Sequence, residues 1–405
     1  MKNNLRNLKS KNLLIIPNSF PHKNCLYGGV FIKGQIDVLA KYFNKIYVIC
    51  PTPYFPGFFK NFNCFPASWK KAVNPINYSY KSVSVYFPKF FKLPVNFSRK
   101  KAGERAYKAA LELISKENIK FDIIHAHFVY HAGYVGAKLK GRYKKPLIIT
   151  GHGYDVYELP FRDNDFKKIV KYILKSADYV TTVSKSNYKK LVEFGTDKKK
   201  ITIIPNSYNA KKFKQISQEE CKDRLDIPKN KKIIISVGYL EEIKGYEYSI
   251  KAMREVINKE NDVLYFIIGN GPLKTRLQRL INNLNLNGYV NLVGGKPHDE
   301  VPLWMNACDL SVMPSLKESF GIAQIEAMAC GKPVVATRNG GSEDIIVNKK
   351  LGYLVEPKNP DELAEKILLA LDRKWDKEYI LEHVKKFESE KIAKETLKIY
   401  KKVMN

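Results

Sequence analysis

Short runs of aliphatic and β-branched residues alternate along the chain with longer stretches in which apolar positions recur every three or four residues. The runs at 13–17, 46–50, 123–127, 147–150, 179–183 and 201–204 show little polar alternation. That is the signature of strands buried on both faces of a parallel sheet. Amphipathic stretches at about 30–43, 99–117, 131–140, 165–176 and 185–194 predict the helices that cross back over such a sheet. A second series opens near Lys231, with strands expected at 233–237, 263–268, 290–292, 310–313 and 334–336 and a short one at 353–355. Two such series predict an α/β chain of two doubly wound, Rossmann-like domains. A length of 405 residues also exceeds what one core usually serves. The boundaries are expected at 1–208 and 209–375, with closing helices over 376–405 and a hinge near 205–215.

The interval between Cys50 and Arg99 breaks this rhythm. It holds 14 aromatic residues, among them Phe55, Phe58, Phe59, Phe62, Phe65, Trp69, Phe90 and Phe91, with lysines and prolines interspersed. One strand is expected at 83–87, and the rest resembles a long functional loop. Rings and lysines together suit a membrane interface, so the lobe at 54–69 is a candidate acceptor or membrane contact. Charge points the same way. The formal net charge is +30, yet residues 1–200 carry 37 Lys and Arg against 12 Asp and Glu, and the remainder 33 against 28. Asp37 is the only acid in the first hundred residues. An excess this uneven contributes nothing to folding and implies a polyanionic or anionic-membrane partner for the first domain.

No apolar run approaches the roughly 18 residues of a membrane span, and the run at 13–16 is too short for a signal-peptide core. The expectation is a cytoplasmic protein, peripheral on the inner face of the membrane. Cys25, Cys50, Cys64, Cys221, Cys308 and Cys330 are scattered without a C-x-x-C pair, which argues for reduced thiols and against a zinc site.

Candidate chemistry concentrates at Glu318-Ser319-Phe320-Gly321-Ile322-Ala323-Gln324-Ile325-Glu326. Two carboxylates eight residues apart would lie about 80° apart on one helix, so they are expected on different elements. Gly321 supplies the break, which places Glu318 in a loop and Glu326 about one turn inside a helix begun by Ile322. A helix start offers unpaired N–H groups and a positive dipole to a phosphate. Carboxylates on either side suit the vicinal hydroxyls of a sugar and a ribose. The stretch from Pro314 to Glu326, running on into Ala327-Met328-Ala329-Cys330-Gly331-Lys332-Pro333-Val334-Val335 and Gly340-Gly341, resembles glycosyltransferase family 4.

That resemblance spans nearly the whole chain and implies the GT-B architecture: two Rossmann-like domains facing a cleft, a C-terminal helix returning to the first domain, and sugar transfer with retention of configuration. It implies a nucleotide-diphosphate sugar as donor, with Glu318 at the sugar, Glu326 at the ribose, and Ser319, Phe320, Gly321 and Ile322 lining the donor. The family pattern places Arg after the strand glycine and Lys before the next one. Here those positions are Tyr239 and Lys244, so one of two diphosphate cations is kept. Backbone around 295–298, with Lys296, is expected at the base. Gly28 and Gly29 belong to a loop expected near the donor phosphates.

His152, in Gly151-His152-Gly153-Tyr154-Asp155, follows a strand directly, where α/β ligand sites lie. It matches the family's cleft histidine and joins Glu318 and Lys244 as a catalytic candidate. His127 and Asp155 are candidate acceptor contacts, with one of His125 and His127 expected buried and the other acceptor-facing. Asp163-Asn164-Asp165 mimics a metal-binding D-x-D but precedes a helix, so Asn164 or Asp165 is expected as an N-cap. No metal and no cofactor is expected. Without a first-domain carboxylate at hand as nucleophile, the resemblance implies front-face substitution at the sugar. The expected acceptor is lipid-linked or a polysaccharide. The alternatives are a sugar-nucleotide epimerase of the same architecture or, from charge alone, a nucleic-acid-binding protein.

Overall fold

A computed structural model describes residues 6–23, 28–54, 75–91 and 101–404. The aromatic lobe beyond Tyr54, together with Cys25 and Cys64, lies outside the described residues. The remaining cysteines, Cys50, Cys221, Cys308 and Cys330, are buried. The chain forms two compact units, one of 1–183, 187–205 and 392–405 and the other of 184–186 and 206–391.

In the first unit the strands are β1 (Asn12–Pro17), β2 (Lys45–Ile49), β3 (Thr52–Tyr54), β4 (Tyr78–Tyr80), β5 (Val83–Tyr86), β6 (Lys89–Phe91), β7 (Ile123–His127), β8 (Leu147–Gly151), β9 (Tyr179–Thr182) and β10 (Ile201–Ile203). The helices are α1 (Val30–Leu39), α2 (Ala102–Lys116), α3 (Ala132–Tyr143), the single turn α4 (Tyr154–Tyr157), α5 (Asn164–Ser176) and α6 (Lys185–Glu193). The main sheet runs β10-β9-β8-β7-β1-β2-β5-β4. All its pairings are parallel except β4 on β5. Six parallel strands and a further one at 83–87 were expected; the last is present as β5 beside β2, and β4, which pairs back on it, makes eight. β3 and β6 pair separately. Central strands are buried throughout: Leu13 to Ile16 and Ile123 to Ala126 are at most 1% exposed. Their lack of alternation therefore reports helices on both faces.

The second unit has β11 (Lys232–Val237), β12 (Val263–Ile268), β13 (Val290–Gly294), β14 (Leu310–Met313), β15 (Val334–Thr337) and β16 (Gly352–Val355). Its all-parallel order is β13-β12-β11-β14-β15-β16, so the direction of winding reverses between β11 and β14. Loops at the carboxyl ends of strands beside such a switch form the ligand crevice of doubly wound folds. The helices are α7 (Gln218–Arg224), α8 (Tyr246–Lys259), α9 (Lys274–Asn283), α10 (Val301–Ala307), α11 (Ile322–Ala329), α12 (Ser342–Ile345), α13 (Pro360–Asp372) and α14 (Lys377–Val384).

The segment 376–405 does not return to the first unit as a whole. α14 buries Ile380 and Val384 within the second unit. The last helix, α15 (Ser389–Met404), begins there and joins the first unit from Ile392 onward. There Ile392, Ala393, Leu397 and Tyr400 enter the core that holds Leu13, Ile15, Ile36 and Phe43. Apolar spacing along α15 made its burial visible in the sequence. What it could not show was the split, since α14 is amphipathic in the same way.

Candidate active site

In the second unit the chain leaves β11 through Gly238-Tyr239-Leu240-Glu241, makes a 3-10 turn at Glu242–Lys244 and enters α8 through Gly245. Gly245 holds φ at 65°, and a Cβ there would fall 2.1 Å from the Pro314 carbonyl oxygen. The turn can lie against the end of β14 only because that residue is glycine. The approach sets Lys244 Nζ on Glu318 Oε1 as an ion pair, and Ser315 Oγ donates to the same oxygen at 3.1 Å. Burial alone would lower the Lys244 pKa, but the Glu318 carboxylate outweighs it and the net shift is upward. The ammonium is therefore charged at neutral pH. It has three protons, so Glu318 occupies one and leaves others for a second anion.

Gly321, at φ 98°, separates Glu318 from α11, and Glu326 stands on the fifth residue of that helix. This is the loop-and-helix placement that the eight-residue spacing requires. Glu326 is buried, with Oε1 3.2 Å from His298 Nε2. Burial raises its pKa, and His298 partly offsets the rise. His298 in turn packs edge-on against Phe213 at 5.4 Å. The backbone at 295–298 and Lys296 were expected to matter; the side chain of His298 was missed, although a lone histidine just beyond a strand end was the available signal.

Other expected donor contacts change. Lys296 pairs with Glu300 at 3.0 Å, on its own loop and helix. Phe320 turns inward, 1% exposed, against Phe387, and only its backbone is left to face a ligand. Ser319 and Ile322 are part-buried on either side of the break. Tyr239, at the family's arginine position, is 56% exposed.

In the first unit Gly28 and Gly29 lead directly into α1, with Gly29 at its N-cap. At the carboxyl ends of β7 and β8 three histidines stack. The His125 ring lies 4.2 Å from His127, and His127 lies 5.3 Å from His152. His125 is held at both nitrogens, by Tyr400 Oη at 2.6 Å and Thr150 Oγ1 at 2.7 Å. His127 Nδ1 meets His152 Nε2 at 3.0 Å. His152 sits between Phe31 and Phe128, and its Nδ1 is buried with no hydrogen-bond partner among the described residues. Such an orphan is costly unless a ligand satisfies it. The expectation that one of His125 and His127 faces the acceptor is corrected: both are at most 2% exposed, and His127 acts on His152. Burial lowers the His127 pKa to about 3, and burial with the neighbouring rings lowers His125 and His152 in the same direction. All three are neutral.

Asp155 is corrected too. It is 2% exposed and accepts from the backbone N–H of Val129 at 2.7 Å and Gly153 at 2.7 Å, with His152 N–H at 3.2 Å. Its carboxylate therefore shapes the His152 loop and has no reach to an acceptor. Asp163, rather than Asn164 or Asp165, caps α5, accepting from Asp165 and Phe166 N–H groups. Among the described residues no group of three or more His, Cys, Asp or Glu could hold a metal ion.

These two sheets, with their strand-end carboxylates, lysine and histidine stack, define a GT-B protein. The chain matches the Glycosyltransferase Family 4 family over residues 46–212 and the Glycosyl transferases group 1 family over 217–401. It is 33% identical over 304 residues to an uncharacterized glycosyltransferase of Methanocaldococcus jannaschii, covering 74% of this chain and 80% of that one. It is 28% identical over 360 residues to a Bacillus subtilis protein named as a teichuronic acid biosynthesis glycosyltransferase, with 88% of each chain covered. Among solved structures, Anabaena HepE in complex with UDP-glucose superposes with a TM-score of 0.73 at 20% identity, over 97% of this chain and all of that one. The chain belongs to glycosyltransferase family 4 and is a glycosyltransferase enzyme.

Proposed function

We propose that the protein transfers a sugar, with retention of anomeric configuration, from a nucleotide-diphosphate sugar to a lipid-linked or polysaccharide acceptor at the cytoplasmic face of a membrane. The observation that carries this reading is the pair of acids around the start of α11, one held by Lys244 and Ser315, the other by His298. HepE is named with UDP-glucose and the Bacillus relative for teichuronic acid biosynthesis, which supports a nucleotide-sugar donor and a cell-surface glycan product.

In this reading Glu326 accepts from the ribose hydroxyls, Glu318 from the sugar hydroxyls, and Lys244 shares its remaining protons with the diphosphate. The Gly321 break aims the first free N–H groups of α11 at the same phosphates. His152 offers Nδ1 to the sugar. Asp155 is spent on backbone amides, which speaks against a covalent glycosyl intermediate on it. The bond from the anomeric carbon to the diphosphate oxygen breaks as the acceptor oxygen bonds on the same face. The departing diphosphate takes the acceptor's proton. Fixed charge and dipoles at the developing diphosphate are the main protein contribution.

A thermal-shift screen of UDP-, GDP- and ADP-sugars tests the donor class. One member at about 100 times its Kd should stabilise the protein by about 2.7 kcal/mol, a rise of roughly 5–10 °C for a unit of this size. No shift with any of the three bases would overturn the donor assignment. Turnover should also persist in EDTA, because Lys244 and the helix start stand where a metal would. Complete inhibition that manganese reverses would refute a metal-free site.

A further inference from the structure

One face of the first unit concentrates unpaired cations. The outer surface of α5 carries Lys167, Lys168, Lys171 and Lys175, and the turn before β10 adds Lys198, Lys199 and Lys200, all exposed. Of the 22 ion pairs found among the described residues, none involves any of these seven lysines. Large aromatics stand exposed beside them. Phe161 is 56% and Tyr172 44% exposed, and Phe161 packs edge-on against Phe194 at 5.8 Å.

Between the end of α5 and the turn lies a cavity of about 460 Å³. Its walls include Lys171, Lys175 and Lys200, and its apolar lining includes Leu174, Val180 and Phe194. Lys171 Nζ stands 6.0 Å from the Phe194 ring. The acid in the lining, Asp197, already accepts from Lys199 N–H at 2.9 Å. The carbonyl ends of α5 and α6 point their dipoles here, but each amounts to about half a charge, less than the three ammonium groups supply.

We propose that this face docks the protein on an anionic lipid bilayer, with the cavity between Lys171, Lys175 and Lys200 receiving a lipid headgroup phosphate and Phe161 entering the headgroup layer. The inference rests on the membrane-face reading above and gives it a location on α5 and the turn before β10. The physics is that of interfacial helices: full charges near an anionic surface attract, and exposed rings settle at headgroup depth. A nucleic acid would meet the charge but would leave the apolar lining without a partner.

The test is co-sedimentation with phosphatidylcholine vesicles containing phosphatidylglycerol, and with pure phosphatidylcholine. The full-length wild type is compared with a triple variant, Lys171→Gln, Lys175→Gln and Lys200→Gln. A control removes the same charge elsewhere on the unit, with Lys108→Gln, Lys116→Gln and Lys120→Gln. Three lysines at an anionic surface are worth on the order of 100-fold in partitioning, so the cavity triple should lose about that much and the control less than about 3-fold. Phe161→Ser should reduce the fraction still bound at high salt. Equal losses in both triples would overturn the proposal in favour of diffuse charge. Competition by a single-stranded oligonucleotide that the cavity triple abolishes would overturn it in favour of nucleic acid. Equal wild-type binding to neutral and anionic vesicles would overturn the electrostatic docking proposed here, and if the wild type sediments with neither, the membrane-face reading itself fails. Because all six lysines are exposed, each variant is expected to keep wild-type donor affinity, which serves as the folding control.

Discussion

Replacing Glu326 with alanine is expected to weaken nucleotide-sugar binding by roughly 10- to 150-fold, the loss of one charge-assisted hydrogen bond of about 1.5–3 kcal/mol. The prediction follows from how Glu326 is held. It is buried on α11, so its orientation is fixed, and His298 engages one of its carboxylate oxygens. Two hydroxyls of a ribose can then share the acceptor capacity that remains. Isothermal titration with the donor found by thermal shift measures the loss, and unchanged affinity would sink the assignment. Glu318 should behave differently. Glu318→Gln keeps the shape of the loop but releases Lys244 from its carboxylate, so the expected result is a fall in kcat with donor affinity largely kept. Normal turnover would remove Glu318 from the site.

How much of this was legible in the sequence depended on whether the deciding force was local. The core strands were visible because burial on both faces writes an uninterrupted apolar run, and the Glu318–Glu326 arrangement followed from helical geometry and one glycine. The strand expected at 83–87 is present as β5, whereas β4 was not seen, since a strand of three residues at 78–80 has no period long enough to read. Side-chain partners were the main loss. Nothing local says that His127 meets His152, because β7 and β8 bring together residues 25 apart. Tyr400 reaches His125 from 275 residues away. Asp155 looked like a ligand because it follows Gly-His-Gly; the turn instead folds its carboxylate onto three backbone N–H groups, which no spacing rule foretells. The N-cap of α5 was misplaced by one or two residues because three consecutive residues, Asp163, Asn164 and Asp165, are all good caps, and only backbone geometry chooses.

Acidification below about pH 6.5 is expected to destabilise the first unit, and the histidine stack is the reason. A histidine held neutral in the fold binds fewer protons than it does in the unfolded chain, so stability falls as pH drops below the unfolded value of 6.5. For His127 the loss continues down to its folded value of about 3; for His125 and His152 the direction is the same. Asp155 acts in the opposite sense. Burial raises its pKa from 3.8 to about 6, so the folded state holds the extra proton between those values and gains stability on acidification there. Three histidines held neutral against one carboxyl held protonated leave a net loss of stability as pH falls through this range. Urea unfolding across this range, followed by a probe in the first unit, measures the slope. His127→Gln should flatten it by about one proton relative to wild type, and Asp155→Asn should steepen it by about one. A His127→Gln slope equal to wild type would mean that His127 is solvated and charged, contrary to its place between two other rings. The same burial carries a consequence for the proposed function: His152 stays neutral through the physiological range and should contribute no limb near 6.5 to a pH–rate profile, so in that reading Nδ1 meets the sugar as part of an uncharged imidazole.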